Sequence, residues 1–190
     1  AGTVACATAL CGGDVEIDGA NVNHLGAVIN CLQSKDCKID GDDTYMRVRS
    51  TGRIHGVHAQ SAPYPLLPTD MQPQLLCASC FSDGVSVIRE TVFESRFAHV
   101  KEMQKLGAKI NVRGDTATIF GCEKSDSPYL IKGGSVVASD LRAGGALCIA
   151  ALKIKGESKV YGVEFIDRGY ERIEDLFCSL GGYVLRTKDR

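Results

Sequence analysis

The sequence predicts an α/β fold of three repeated units around buried helices, a three-sided prism of the inside-out barrel type. Two observations lead to this prediction. A short phrase that begins with glycine recurs at offsets of 71 and 72 residues, at Gly13, Gly84 and Gly156. Helix-like and strand-like patterns also follow one another in a similar order within each copy. A repeat of this length is a whole supersecondary assembly, so each copy should hold several helices and strands.

A polar position recurs with the same spacing. His24, Arg96 and Arg168 align at offsets of 72 and 72 residues, and each opens a stretch with helical apolar periodicity. Two of the three copies therefore place an arginine at the mouth of a helix. Since a guanidinium makes paired hydrogen bonds with phosphate and carboxylate oxygens, this position indicates a site built around anionic groups.

The 190 residues form a single lobe in this interpretation, with internal units at about 1–53, 54–125 and 126–190. A chain of this length can bury a full core as one domain. Each unit is predicted to run strand, buried helix, strand, surface helix and two further strands, which is a βαβαββ order.

The first helix of each unit is predicted to be short and rich in small residues, over 3–10, 69–81 and 139–152. The last of these is apolar on nearly every side beyond its first turn, so it should be buried all round. Thr69 and Ser139 are predicted as capping residues of the second and third helices. The acids that follow them, Asp70 and Asp140, would then favour the positive end of the helix dipole.

The second helix of each unit is predicted to be amphipathic. Apolar residues fit positions i, i+3, i+4 and i+7 from Leu25 and from Ile173, while the copy that begins at Phe97 is a looser match. Alternating strand candidates lie between the helices, at 54–59, 85–89, 109–113, 116–120, 135–138 and 159–163. The surface helices close on the pairs Lys38-Ile39, Lys109-Ile110 and Tyr183-Val184.

Unit one differs from the other two at its start. It begins at Ala1 with no preceding strand candidate and no initiator methionine. We therefore expect the chain to be cut from a longer protein. The missing strand should also leave a sheet edge open near the N-terminus, which is a liability for self-association.

Charge and hydropathy argue against several function classes. The net charge is −1 and there is no long basic run, so the electrostatic footprint of a nucleic-acid-binding protein is missing. No apolar stretch reaches the roughly 18 to 20 residues of a membrane span. With no signal peptide or acylation motif visible, the expected location is the cytoplasm.

The nine cysteines fall largely within apolar runs, where reduced cysteine behaves as a small hydrophobic residue. Cys77 and Cys80 have the CxxC spacing of zinc and redox sites, but no second pair accompanies them. The sequence therefore favours core packing in a reducing compartment over a metal or redox role.

The candidate chemistry lies in four short phrases, which contain Asp70, Arg96, Asp140 with Arg142, and Arg168. The two aspartates are explained either as first-turn acids or as reacting groups. An arginine at a helix start opposes the helix dipole, so the three arginines need a partner. That partner is either a nearby acid (Asp140, Glu94 or Asp167) or a bound phosphate or carboxylate. His24 and His99 are expected to cap or pack rather than to catalyse.

Four of these motifs together resemble the C-terminal lobe of the UDP-N-acetylglucosamine 1-carboxyvinyltransferases, a family of enolpyruvyl transferases. They are Pro-Thr-Asp-Met-Gln, Glu-Thr-Val-Phe-Glu-x-Arg-Phe from Glu90, Ser-Asp-Leu-Arg-Ala and Ile-Asp-Arg-Gly-Tyr-Glu. The resemblance covers essentially the whole chain, and the related enolpyruvylshikimate-phosphate synthases match much less well. Ser95 stands where the family usually has Asn, and Gly144-Gly145 where it more commonly has Ser-Ala.

The resemblance implies an activity and a set of site residues. Asp70 would be the base for the sugar 3-hydroxyl, and Asp140 would assist proton transfer. Val92 would contact the UDP-sugar through its backbone. Phosphoenolpyruvate would be bound by Arg168, with Arg96 and Arg142 lining the same cleft. This scheme requires no cofactor and no metal.

The resemblance also implies partners. The substrates would be UDP-N-acetylglucosamine and phosphoenolpyruvate, and the N-terminal lobe of the family, with its mobile loop, has no counterpart in this sequence. The chain alone is therefore expected to be inactive. The alternatives are a non-catalytic module that binds a UDP-sugar or another anion, a purely structural repeat domain, and a lobe of an enolpyruvylshikimate-phosphate synthase.

Overall fold

The computed structural model describes residues 1–94, 96–122 and 130–187. The helices are α1 (Gly2–Cys11), α2 (Gly26–Leu32), α3 (Gln72–Ser79), α4 (Ala98–Lys105), α5 (Leu141–Lys153), α6 (Val163–Ile166) and α7 (Ile173–Ser179). The strands are β1 (Gly13–Asp18), β2 (Cys37–Gly41), β3 (Tyr45–Ser50), β4 (His58–Gln60), β5 (Val85–Arg89), β6 (Lys109–Arg113), β7 (Thr116–Phe120), β8 (Ser135–Val137) and β9 (Lys159–Tyr161). Short 3₁₀ turns at Val22–Leu25 and Thr69–Met71 lead into α2 and α3.

The described strands form three sheets. The first is antiparallel in the order β1-β3-β2. The second has the order β4-β5-β7-β6, in which β4 runs parallel to β5 and the other pairs are antiparallel. The third is the parallel pair β8-β9. The chain is thus a mixed α/β fold, as the sequence predicted.

Helices α1, α3 and α5 pack against one another in the core. All residues from Gly2 to Leu10 in α1, and all residues of α3, are buried. Residues 143–147 of α5 are buried as well, as are Ile149 and Ala150. Small side chains allow this close approach, and a helix with no polar face gains most by being enclosed. The prediction that the helix over 139–152 is buried is confirmed.

Helices α2, α4 and α7 each bury one stripe, and their other residues are half-buried or exposed. The buried pairs are Val28 with Leu32, Val100 with Met103, and Ile173 with Phe177. These are the three helices for which the sequence predicted an amphipathic pattern. The looser periodicity of α4 is explained by His99, which occupies a buried position on the same face.

Three strand predictions have the observed bounds, namely β5, β6 and β7. The candidate at 159–163 ends earlier, at Tyr161, because Gly162 adopts a left-handed conformation (φ 80°) and starts α6. The candidate at 54–59 contributes only its last two residues, since β4 begins at His58. The two further strands predicted after the surface helix of each unit are not found in unit three, where none of residues 180–187 is in a strand.

The predicted caps at Thr69 and Ser139 were also wrong. Asp140 itself caps α5, since its Oδ1 accepts hydrogen bonds from the amides of Arg142 and Ala143 at 2.8 and 3.0 Å. The Thr69 hydroxyl instead donates to the carboxylate of Glu90 at 2.9 Å. Asp140 is therefore a capping residue just outside the helix rather than an acid in its first turn.

Strand β1 lies at an edge of its sheet in the described part of the chain. In the other two sheets, a strand that precedes the buried helix pairs in parallel with the strand that follows it, as β4 does with β5 and β8 with β9. The open edge at β1 is the feature expected from the sequence.

The predicted boundary between units two and three, near residue 125, lies outside the described residues. None of the described helices is both long enough and apolar enough to cross a membrane.

Candidate functional site

Asp70 is held between two arginines that come from different parts of the chain. Its Oδ1 accepts a hydrogen bond from Arg96 at 2.7 Å, and its Oδ2 accepts one from Arg142 at 2.6 Å. Asp70 lies in the 3₁₀ turn before α3, Arg142 in the first turn of α5, and Arg96 just before α4. Three of the residues singled out in the sequence are therefore in direct contact.

The starts of the three buried helices are linked at this end of the lobe. The Arg142 contact joins the start of α5 to the turn that leads into α3. The Tyr170 hydroxyl lies 2.8 Å from the Thr3 hydroxyl of α1 and accepts a bond from Gln74 of α3 at 3.5 Å. Helix N-termini carry partial positive charge and free amides, so their convergence favours an anion.

The electrostatics of Asp70 follow from this setting. Its pKa is lowered, first by the hydrogen bond from Arg142 and also by the charges of Arg142 and Arg96, which together outweigh the cost of partial burial. Its side chain is 49% exposed, so a ligand in the cleft can reach it. Asp70 is therefore an ionised carboxylate that already occupies a site suited to an anion.

The Arg96 side chain is largely buried and has two positioning contacts. It is 15% exposed, its guanidinium carbon lies 5.0 Å from the centre of the Phe93 ring, and one nitrogen bonds to Asp70. Its Nε is buried and has no hydrogen-bond partner among the described residues. The guanidinium, stacked on Phe93, thus faces Asp70, and its Nε–H is a donor with no partner among the described residues.

Asp140 has most of its hydrogen-bonding capacity committed to the helix. One oxygen holds two amides of the first turn of α5, and the other lies 3.3 Å from the Ser139 hydroxyl. Asp140 therefore has a structural role as the N-cap of α5, although not the first-turn position that the sequence predicted.

Arg168 behaves differently from the other two arginines. It follows α6, is exposed, and makes no side-chain hydrogen bond or ion pair with any residue that the structure describes. Its neighbour Asp167 pairs instead with Arg186, at 2.6 and 2.9 Å. The next residue, Gly169, lies against Leu141, the first residue of α5, so the segment that carries Arg168 passes beside that helix start.

The structural alternative for the arginines was wrong in its choice of partners. Arg96 pairs with Asp70 rather than with Glu94, Arg142 pairs with Asp70 rather than with Asp140, and Asp167 pairs with Arg186 rather than with Arg168. The sequence pointed to acids close along the chain, whereas tertiary packing brings Asp70 to both Arg96 and Arg142.

Val92 is 45% exposed on the turn that follows β5. Its amide donates to the Glu90 carboxylate at 2.9 Å. Ser95, on the same segment, lies outside the described residues.

Glu90 was quoted from the sequence only as the start of a motif, yet its carboxylate is central to the site. It is 4% exposed and accepts four hydrogen bonds, from the Ser61 and Thr69 hydroxyls and the Val92 and Phe93 amides. Burial acts to raise its pKa, but these hydrogen bonds prevail and the pKa is lowered. The sequence does contain a signal for Glu90, because this acid directly follows a strand with alternating buried residues. A carboxylate that is enclosed at such a position must find hydrogen-bond partners.

His99 and the CxxC cysteines have the packing role expected of them, whereas His24 does not. His99 is 2% exposed, and burial lowers its pKa to about 4, whereas His24 is exposed at the end of a 3₁₀ turn. Cys77 and Cys80 are buried and unpaired, and burial raises the pKa of both thiols. Within the described ranges no cluster of three or more potential ligands is arranged to hold a metal ion.

Comparison with known sequences identifies the relatives of the chain. The family model for EPSP synthase (3-phosphoshikimate 1-carboxyvinyltransferase) matches residues 1–177. A UDP-N-acetylglucosamine 1-carboxyvinyltransferase from Anaeromyxobacter sp. is 43% identical over 99% of this chain, and one from Gluconacetobacter diazotrophicus is 38% identical over 99%. The chain spans 43% of the length of each of these two relatives.

Solved structures share the fold. A crystal structure of the enolpyruvyl transferase NikO from Streptomyces tendae matches with a TM-score of 0.81 and 24% identity, over 95% of this chain and 42% of that one. An EPSP synthase from Acinetobacter baumannii matches with a TM-score of 0.74 and 20% identity, over 99% of this chain and 46% of that one. With the family match over 1–177, these likenesses show that the chain belongs to the EPSP synthase (carboxyvinyltransferase) family.

Proposed function

We propose that the chain is the catalytic-lobe portion of a transferase that moves the enolpyruvyl group of phosphoenolpyruvate to the 3-hydroxyl of UDP-N-acetylglucosamine, with release of phosphate. This is the first committed step of peptidoglycan synthesis. The observation that carries the proposal is the Asp70 carboxylate between Arg96 and Arg142 where buried helices begin. The name shared by relatives at 38 and 43% identity supports this choice of substrates.

The reaction gives each group at this site a task. The sugar oxygen forms a bond to the central carbon of phosphoenolpyruvate as the hydroxyl proton leaves to Asp70, and the methylene carbon gains a proton. The adduct then loses phosphate and a proton to restore the double bond. Asp140 assists proton transfer through its second oxygen, the one that does not hold the helix amides. Positioned carboxylates of this kind typically contribute about 10²- to 10⁴-fold to the rate.

The arginines bind the anionic parts of the substrate. Arg168 grips phosphoenolpyruvate with its guanidinium, which makes no hydrogen bond or ion pair with a described residue, and Arg96 and Arg142 line the same cleft. A phosphate or carboxylate that draws these two arginines away from Asp70 also removes the contacts that keep the Asp70 pKa low. Asp70 then becomes a stronger base at the moment when the second substrate is in place.

The remaining parts of the proposal concern assembly and location. The three units at about 1–53, 54–125 and 126–190 form a prism about the buried helices α1, α3 and α5, which pack on one another. An N-terminal lobe supplies the other half of the cleft, in keeping with a chain that spans 43% of its relatives. UDP-N-acetylglucosamine contacts the Val92 backbone, and the enzyme acts in the cytoplasm without a metal or cofactor.

A second candidate function is transfer of the same enolpyruvyl group to 3-phosphoshikimate. The family model that matches residues 1–177 carries that activity in its description. The sugar nucleotide is favoured because the relatives at 38 and 43% identity are named for it.

The experiment that tests the proposal is a phosphate-release assay with the full-length protein that contains this chain. It is supplied with phosphoenolpyruvate and either UDP-N-acetylglucosamine or 3-phosphoshikimate, and the product is identified by mass spectrometry. We expect phosphate and an enolpyruvyl sugar nucleotide in the first mixture only. Turnover with 3-phosphoshikimate alone would establish the second candidate, and binding of the sugar nucleotide without turnover would indicate a non-catalytic module.

A further inference from the structure

The geometry points to Glu90 as a positioning residue. It keeps Asp70 and Arg96 at the distance at which they form their hydrogen bond, and it fixes the turn that contains Val92. This inference rests on the proposed function for its kinetic consequences, although the contacts that support it do not. Glu90 contacts neither Asp70 nor Arg96 directly. It acts through Thr69, which precedes Asp70, and through Phe93, whose ring lies against Arg96.

The carboxylate of Glu90 joins the carboxyl ends of two parallel strands. Glu90 follows β5 and Ser61 follows β4, and the Ser61 hydroxyl donates to Glu90 Oε1 at 2.6 Å. The same Ser61 oxygen accepts the Thr91 amide at 3.0 Å. The buried carboxylate is therefore held in place by the sheet, independently of its contacts with the Asp70 site.

From this anchor, Glu90 reaches both sides of the Asp70 site. Its Oε2 accepts the Thr69 hydroxyl at 2.9 Å, which fixes the residue immediately before Asp70. Its Oε1 accepts the amides of Val92 and Phe93 at 2.9 and 3.0 Å, which fixes the turn leading to Arg96.

These contacts close into a ring. The Phe93 ring lies 5.0 Å from the Arg96 guanidinium carbon, and Arg96 bonds to Asp70 at 2.7 Å. Asp70 is joined through the backbone to Thr69, which returns to Glu90. In a glutamine the amide oxygen can keep the three bonds that Oε1 accepts, but the NH₂ group cannot accept the Thr69 hydroxyl, and without the charge the remaining bonds are weaker. Loss of the Glu90 charge should therefore loosen Asp70 and Arg96 together.

The test compares Glu90→Gln with wild type in the full-length protein. We expect kcat to fall about tenfold to a hundredfold, the size expected when hydrogen bonds to a charged group are weakened, with KM changed by less than about threefold. In parallel, the carboxylate titration of Asp70 is followed by NMR with ¹³C-labelled aspartate. We expect the Asp70 pKa to rise towards its ordinary value, since its arginine contacts are what lower it.

The matched control is Glu102→Gln. Glu102 is also a largely buried carboxylate that accepts a backbone amide, that of Val137 at 2.9 Å, and it pairs with Lys105 rather than with the site. This variant should keep the kcat and the Asp70 titration of wild type. If Glu90→Gln fails to fold, Thr69→Val removes one hydrogen bond from the ring and should shift both readouts in the same direction.

An unchanged kcat in Glu90→Gln would overturn the inference. A lower kcat with an unchanged Asp70 titration would also overturn it, since the effect would not pass through Asp70. If the wild-type protein releases no phosphate, the proposed function fails, while the Asp70 titration still decides whether Glu90 positions that residue.

Discussion

Two arginines give the Asp70 carboxylate its present charge state and limit its strength as a base. Both of its oxygens accept guanidinium hydrogen bonds, and its pKa is lowered as a result. Under the proposed function, an incoming anion competes with Asp70 for the arginines, and the carboxylate becomes a stronger base as its pKa rises.

Replacement of Asp70 by asparagine tests this directly. In the full-length enzyme, Asp70→Asn should lower kcat by about 10²- to 10⁴-fold, the usual contribution of a positioned proton acceptor, with nearly unchanged affinity for the sugar nucleotide. Steady-state kinetics and calorimetric titration measure the two quantities. Asp14→Asn is the control, because Asp14 also pairs with an arginine, Arg47, but on the first sheet. Wild-type turnover in Asp70→Asn would reduce Asp70 to a structural partner of the arginines.

Arg168 offers a separate test of anion binding. Arg168→Lys should weaken binding of phosphoenolpyruvate, because a compact ammonium cannot reproduce the two parallel hydrogen bonds of a guanidinium. The readout is the dissociation constant, with Arg113→Lys, an exposed arginine on β6, as the matched control. Equal affinity in Arg168→Lys and wild type would show that the free guanidinium does not serve the substrate.

Buried His99 predicts how stability depends on pH. Its folded pKa is about 4 and its ordinary value is 6.5, so between these values the unfolded chain binds a proton that the folded chain does not. The free energy of unfolding should therefore fall as pH decreases from about 6.5 to 4, by about 3 kcal/mol in total. Urea unfolding at pH 7 and pH 4.5 measures the change.

The matched variants separate this effect from general acid destabilisation. His99→Gln should flatten the dependence in that window, while His24→Gln, at an exposed site, should retain it. An equal loss of stability in wild type and His99→Gln would contradict the assignment.

At the scale of helices and strands, the periodicity of apolar residues predicted those elements whose buried residues follow a regular pattern. The all-apolar run from residue 143 specified a buried helix, and alternation specified β5, β6 and β7 with their observed bounds. The caps failed because Ser139 and Asp140 are both good capping residues and only the folded geometry chooses between them. The predicted partners of Arg96 and Arg142 were wrong because Asp70 is 26 and 72 residues away along the chain. A local sequence pattern carries no information over such separations.

The packing of α5 rests on two adjacent glycines. A β-carbon at Gly145 would lie 2.7 Å from the Tyr170 hydroxyl oxygen, and one at Gly144 would lie 2.4 Å from an Ile166 carbon. Both positions therefore allow the segment after β9, with Arg168 between Ile166 and Tyr170, to lie against the helix. The absence of side chains at Gly144 and Gly145 is thus matched to the bulky residues, Ile166 and Tyr170, that lie against them.

A single methyl group tests this fit. Gly145→Ala should lower the free energy of unfolding by about 1 to 3 kcal/mol, because overpacking displaces Tyr170 and its bonds to Thr3 and Gln74. Gly26→Ala is the control, since a β-carbon there meets nothing within 4 Å and the backbone is right-handed helical. That change should be neutral or stabilising by up to about 1 kcal/mol. Equal stability of Gly145→Ala and wild type would show that the contact is not tight.

At the scale of the whole molecule, the proposed function makes this lobe one side of a cleft. Asp70, Arg96, Arg142 and Arg168 were identified from motifs, and the structure brings the first three into contact. The chain spans 43% of the length of its relatives, and the proposed function places the other side of the site on an N-terminal lobe. Catalysis that aligns two substrates and excludes water requires both sides of the cleft.

The measurement that tests this account most directly is phosphate release by the 190-residue chain alone and by the full-length protein, each with phosphoenolpyruvate and UDP-N-acetylglucosamine. The account predicts no release above background from the isolated chain and sustained release from the full-length protein. Circular dichroism and sugar-nucleotide binding serve to establish that the isolated chain is folded. Sustained turnover by the folded chain alone would contradict the claim that it carries half of the active site.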